Sequence, residues 1–204
     1  MNNAKESLDF IKSIVEDNRK VSLSSGMPSI IWGVFVIIAL VATYIGATNS
    51  IQSGWYYMIA WTASCFTAWV IMFITERKKC REEVSTYSQK LLGLVWMSHG
   101  MMMMMLSLVG SVSGTINPFA ISPLMGTVLG SAYFINGVLN DYQWLRIVGI
   151  TWWVTSAMLF LLVRTPIGGA NILLYFAGLM IFLQILPGIK LEMLWRDASR
   201  ESNL

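Results

Sequence analysis

His99 is the chain's single histidine, and two residues beyond it run five consecutive methionines, Met101–Met105. Imidazole and thioether are the side chains that suit soft cations, Cu(I) above all. On a helix His99 and Met103, four apart, share a face, and Met101 and Met105 form a second such pair. The set could bind a metal, line a path for a proton or solute, or only fill space. An ionisable group inside a membrane span is the first place to look for function. Methionine is also the flexible gap-filler of apolar packing, and a run of five covers every face of a helix, the lipid side included. The residues favour a neutral imidazole hydrogen-bonded to a neighbouring helix, with methionines as packing. No metal ion and no cofactor is expected.

Three other polar side chains fall in apolar surroundings: Tyr133, Asn136 and Gln184. With His99 they make a candidate intramembrane polar site. They could line a narrow cavity, or act as interhelical glue worth about 1 kcal/mol or less per contact. Gly126, Gly130 and Gly137 form a small-residue stripe beside them, which lets helix backbones approach closely. The MxxxM pair with Gly126-xxx-Gly130 is similar to the helices of copper-uptake channels. Those channels have three spans and a methionine-rich outer domain, whereas this chain reads as six spans with short outer loops. Catalytic patterns are lacking: the sequence holds no HExxH, no paired intramembrane carboxylates and no P-loop. Adjacent residues on a helix point about 100° apart, so Ser98 and His99 are not a nucleophile–base pair. No acid lies in any apolar run, and the chain is expected not to be an enzyme.

The elements that must hold these groups follow from the distribution of charge. The 204 residues are 55% apolar and only 12% charged, about half the charge of an ordinary soluble domain. Between Met27 and Thr75 there is no charged residue, and none between Leu91 and Asn140. Such a chain is an all-α polytopic membrane protein, since spanning helices satisfy their own backbone in lipid. Six spans are expected near Pro28–Gly46, Trp55–Thr75, Leu91–Ser111, Pro118–Leu139, Leu145–Val163 and Ala170–Gly188. His99 then lies about eight residues into the third span, about 12 Å from its start. The expected division is a leader over 1–26, a transmembrane domain over 27–189 and a tail over 190–204. The leader, with Glu6, Asp9, Glu16 and Asp17, has no continuous apolar core and is not expected to be a signal peptide. Cys65 in an apolar run and Cys80 in a charged loop are not expected to pair.

Thirteen of the fourteen Lys and Arg residues fall on one side of the six-span arrangement, as do all eleven acids. The other side has only Arg164. By the positive-inside rule both termini are cytoplasmic. In the leader, Leu8, Ile11 and Val15 follow i, i+3, i+7 with charged residues on the remaining faces, which reads as an amphipathic helix. Its mixed charge makes attraction to lipid alone a weak explanation. Leu8, Ile11 and Val15 are therefore a candidate partner-binding face. Leu191, Leu194 and Trp195 repeat the theme in the tail, after Pro187-Gly188, which should end or bend the last span. "KLLGLVW" (Lys90–Trp96) and "RIVGITW" (Arg146–Trp152) share cation, aliphatics, Gly and Trp, and "GMPSIIW" (Gly26–Trp32) is a degraded copy with Ser29 at the Gly position. This pattern allows three parallel helical hairpins related by an axis along the membrane normal; coincidence is the other reading, because each element is generic at a membrane surface.

The leader, "IIWG" in the first span, "LMGTVLGSAYFINGVL" in the fourth, "VGITWW" in the fifth and the closing "ILPGIKL" together resemble a loose group of bacterial six-span inner-membrane proteins with no assigned activity. The resemblance implies an inner (plasma) membrane location and the six-span architecture; some members of that group accompany small transcription regulators. The function expected is a non-enzymatic sensing, regulatory or partner-binding role through the cytoplasmic face. The alternative is a small-solute or ion transporter, or channel, using the His99 region. The partners expected are the lipid bilayer and a cytoplasmic protein, with no nucleic acid; the oligomeric state stays open. A reporter active only in the cytoplasm is expected to work when fused at Leu204, and a reporter active only outside is expected to fail there. External activity at Leu204 would overturn the six-span orientation.

Overall fold

The computed structural model describes residues 25–79 and 87–201, and every regular element among them is helical. The helices are α1 (Met27–Thr48), α2 (Gly54–Lys79), α3 (Tyr87–Val112), α4 (Pro118–Leu139), α5 (Gln143–Leu162), α6 (Asn171–Met180) and α7 (Leu186–Glu201). A single π-helical turn, Ile181–Ile185, joins α6 to α7 without a break. Among the described residues six helices are long and apolar enough to cross a membrane, with α6, the π turn and part of α7 forming the sixth. The shortest, 20 residues, spans about 30 Å, the thickness of a bilayer core. The chain is a multi-pass membrane protein. The segment carrying Leu8, Ile11 and Val15 lies outside the described residues.

Local chemistry sets the helix ends. Asn117 caps α4, its side-chain oxygen accepting the Phe119 N–H at 2.9 Å, and Pro118 follows where a missing N–H costs nothing. Asn140 closes the other end of α4, and Asp141 turns the chain into α5 with φ +54°. Pro123 is buried in the second turn of α4, which runs through it unbroken. The last span behaves differently from the expectation raised by Pro187-Gly188. The helix does not end there but continues as α7 to Glu201. Pro187 has no N–H, so the carbonyl four residues back, Leu183, loses its helical donor, and the proline ring crowds that carbonyl. The helix widens into the π turn at this place. The indole N–H of Trp152 on α5 donates to the orphaned Leu183 oxygen at 3.2 Å.

The core sits between α4, α5, α6 and α1. Trp152, Tyr133, Leu145 and Ile172 are wholly buried there, with Leu40, Leu129 and Phe176 around them. The largest helix–helix seam is α4 on α5, and glycine makes it possible. A Cβ on Gly149 would stand 2.7 Å from both the Gly130 oxygen and the Phe134 nitrogen, so backbone meets backbone at this crossing. Gly126 meets Ser156 and Trp152, and Gly137 meets Arg146, in the same seam. The small-residue stripe is thus packing within the bundle. At the charge-rich end Gly26 and Gly188 let α1 and α7 touch in the same way. By contrast α2 and α3 lie on the periphery. Only 11% and 6% of their spans are buried, against 44% for α4 and for the last span, so their apolar side chains face lipid.

The three repeat tryptophans share one role, since each reaches the second helix of its own hairpin. Trp32 of α1 donates to the Met72 sulfur of α2, Trp96 of α3 stands edge-on to Tyr133 of α4, and Trp152 of α5 reaches Leu183 of the last span. The hairpins are not equivalent in packing: α1 and α2 lie close together, whereas α5 meets the last span chiefly through side chains.

Gly149→Ala forces backbone apart at the α4–α5 crossing and is expected to lower stability by about 1–3 kcal/mol, as overpacking does. Gly93→Ala, with nothing within 4 Å of the added Cβ, is expected to be neutral or stabilising through helix propensity. Denaturant titration in mixed micelles checks the pair; equal effects would remove the crossing as the reason for Gly149.

Candidate functional site

His99 projects from α3 towards α4. Its Nδ1 lies 2.7 Å from the Val95 carbonyl one turn back, and its Nε2 lies 2.9 Å from the Ser131 hydroxyl on α4. A carbonyl only accepts, so Nδ1 carries the proton, and in the neutral ring Nε2 accepts from Ser131. The Ser131 hydroxyl also lies 2.8 Å from the Val128 carbonyl. A hydroxyl has one hydrogen, so Ser131 serves either the ring or its own helix. Nδ1 has its partner on α3, and when Ser131 turns its hydrogen to Nε2 the imidazole clips α3 to α4. Of the five methionines, Met101, Met102, Met104 and Met105 are each at least half exposed on the outer surface. Met103 alone packs against the core. The thioethers do not converge on the imidazole; they cover opposite faces of α3, as a helical run of five must.

Tyr133 and Gln184 come together elsewhere. Tyr133 is wholly buried in α4, and Gln184, 3% exposed, sits in the π turn. Both reach Ser29 on α1. The Gln184 amide donates to the Ser29 carbonyl at 3.4 Å, and the Tyr133 hydroxyl lies beside the Ser29 hydroxyl without a hydrogen bond of ordinary geometry. The Tyr133 hydroxyl and the Gln184 Oε1 have no hydrogen-bond partner, and the Ser156 hydroxyl against Gly126 is a third such atom. Unsatisfied buried groups cost about 1–3 kcal/mol each, so this three-helix node is held by the packing around it.

Asn136 forms a third, separate group. Its Oδ1 accepts from Asn140 Nδ2 at 2.6 Å, and the same amide donates to the Asn136 carbonyl. Asn136 thus belongs to the closing turn of α4. The four side chains expected to form one site divide into a His99–Ser131 clip, a Ser29–Tyr133–Gln184 node and an Asn136–Asn140 cap. For the clip and the node the reason is angular: Ser131 and Tyr133 are two residues apart, about 200° around the helix, so they lie on opposite sides of α4. Asn136 is engaged instead by Asn140 at the helix end.

The charge-rich end is more densely connected. Glu192 of α7 is 6% exposed, accepts the Ser25 hydroxyl at 2.5 Å and pairs with Arg196 at 2.9 Å. Arg146 joins Asp141 and the Gly137 carbonyl. Lys190 lies 4.4 Å from the centre of the Trp144 ring. Of these ties, the ion pair within α7 follows the i, i+4 spacing and is readable from sequence. The Ser25–Glu192 tie joins residues 167 apart and has no local signal. Ser29 was marked only by standing where the other copies of the motif have glycine.

No family model, curated protein or solved structure matches the chain.

Two substitutions separate the clip from the node. His99→Leu leaves the Ser131 hydroxyl facing an apolar group and is expected to lower stability by about 1 kcal/mol. Tyr133→Phe removes a hydroxyl that has no partner and is expected to be neutral or stabilising. Unfolding midpoints in micelles check both; a loss with Tyr133→Phe larger than with His99→Leu would show that the buried hydroxyl is engaged.

Proposed function

We propose that this membrane protein is a non-enzymatic sensing or regulatory component that engages a cytoplasmic protein through its charge-rich face. In this reading both termini are cytoplasmic and the membrane is the inner (plasma) membrane. The observation that carries it is the unbroken course of the last span into α7. A rigid helix leads from the buried Phe176 and Gln184, through the π turn, to a charged surface bearing Lys190, Arg196 and Arg200. A displacement of α6 within the bilayer moves α7 with it, because helix carries strain along its axis. Glu192 and the Gly26–Gly188 contact tie α1 to the same lever.

A path for a solute or ion through the His99 region has less behind it. The polar groups such a path needs are divided between two sides of α4, and His99 lies within hydrogen-bond distance of α3 at one ring nitrogen and of α4 at the other.

The test is crosslinking in native membranes followed by purification of the full chain. The triple change Leu8→Ser, Ile11→Ser, Val15→Ser is expected to leave the bundle inserted at the wild-type level. It is also expected to reduce the crosslinked cytoplasmic partner several-fold. Unchanged crosslinking in that variant, or a solute flux that disappears with His99→Gln, would overturn the reading.

A further inference from the structure

At the charge-poor end, the α3–α4 turn and the end of α5 enclose an open pocket of about 330 Å³ lined by Thr115, Ile116, Asn117, Ala120, Phe160, Val163 and Arg164. Its two halves differ in chemistry. Ile116, Ala120, Phe160 and Val163 make an apolar wall, and Val112, Leu161 and Ile167, close to these residues in the chain, are well exposed. Thr115, Asn117 and Arg164 supply the polar side.

Two of the three polar groups, Asn117 and Arg164, present donors. Asn117 has its side-chain oxygen committed to the Phe119 N–H, which leaves its amide to donate. Arg164 makes no ion pair and no hydrogen bond within the described residues. It is also the only charged residue that the sequence places at this end; no Asp or Glu stands in any of the connections there. A guanidinium presents five donors in a planar fork that matches phosphate. No described residue pairs with its charge.

Both walls are held in place. The Ile116 N–H donates to the Gly110 carbonyl at 3.3 Å and its side chain lies against Gly110, while Ser113 and Thr115 share a hydrogen bond of 2.7 Å. On the α5 side, Thr165 and Gly168 fold back in consecutive turns, with no room for a Cβ between Gly168 and the Leu162 carbonyl. The pocket is therefore a preformed feature of the connections.

We infer that this pocket binds the headgroup phosphate of an anionic phospholipid, with Arg164 and Asn117 on the phosphate and the first acyl carbons along Phe160, Ile116 and Val163. The argument is charge complementarity joined to position. An unpaired guanidinium favours an anion, and beside the apolar wall at a span end the anion that arrives attached to hydrocarbon satisfies both halves. A free phosphate would use only the polar half.

The experiment is native mass spectrometry of the purified full-length chain in detergent with equal phosphatidylglycerol and phosphatidylcholine. The wild type is expected to hold phosphatidylglycerol in preference, and Arg164→Gln to weaken the tightest-bound phosphatidylglycerol about tenfold, the loss of one charge-assisted contact. Arg164→Lys should fall between the two. Ala120→Trp, which fills the pocket and keeps the arginine, should lose the same lipid. Lys90→Gln, at the opposite end, should keep it. Equal binding of the two lipids by the wild type, or equal phosphatidylglycerol binding by wild type and Arg164→Gln, overturns the inference. Displacement of the lipid by millimolar inorganic phosphate also overturns it, since the site would then be one for a free anion.

Discussion

The bundle depends on the contact of two backbones, Gly130 of α4 and Gly149 of α5. Where the helices meet there is no room for a Cβ on either. In a bilayer the hydrophobic effect gives helices little reason to associate, because lipid tails are as apolar as leucine. Close approach and dispersion between backbones must supply the attraction instead. The crossing has a further result. It carries Trp152, three residues beyond Gly149, into the centre of the core, where its ring packs on Phe176 and its N–H takes the Leu183 carbonyl. One pair of glycines thus determines how α5 meets the last span, which it otherwise touches little.

That carbonyl is free because of Pro187. Proline in the interior of a helix removes a donor and crowds the turn before it. In water the orphaned oxygen would be hydrated; in a membrane it needs a partner from the protein. The Trp152 indole provides one, and the widened turn holds Gln184 towards α1. The lesson concerns proline in spans generally: whether it breaks, bends or only widens a helix depends on what the neighbouring helix offers the abandoned carbonyl.

Much of this architecture is legible in the chain. The spans can be read from uncharged runs because lipid imposes a length and forbids charge, and those constraints act locally. Gly130 announced itself through its spacing from Gly126. The internal polar sites were legible only as residue types. His99, Tyr133, Asn136 and Gln184 look alike in sequence, as isolated polar groups in apolar runs. What separates them is the azimuth of each around its helix and the identity of the helix opposite, and neither is local. Ser131 and Ser29, which receive His99 and Gln184, carry no mark of that role. The methionine run was conspicuous, yet it proves to be four exposed side chains and one that faces inward, as the peripheral place of α3 dictates.

The Ser25–Glu192 hydrogen bond places the start of α1 against α7. Ser25 therefore sits against α7 nine residues, about 14 Å of helix, before its end at Glu201, although the two helices lie at opposite ends of the described chain. For a molecule that grips both the start of α1 and α7 at this contact, each grip raises the other's effective concentration to the order of millimolar. Two weak grips then act as one strong one, with no single strong contact in either. A bivalent grip of this kind can be released by moving the anchor points apart, and the anchor points here are two helices that cross at a pair of glycines, Gly26 and Gly188.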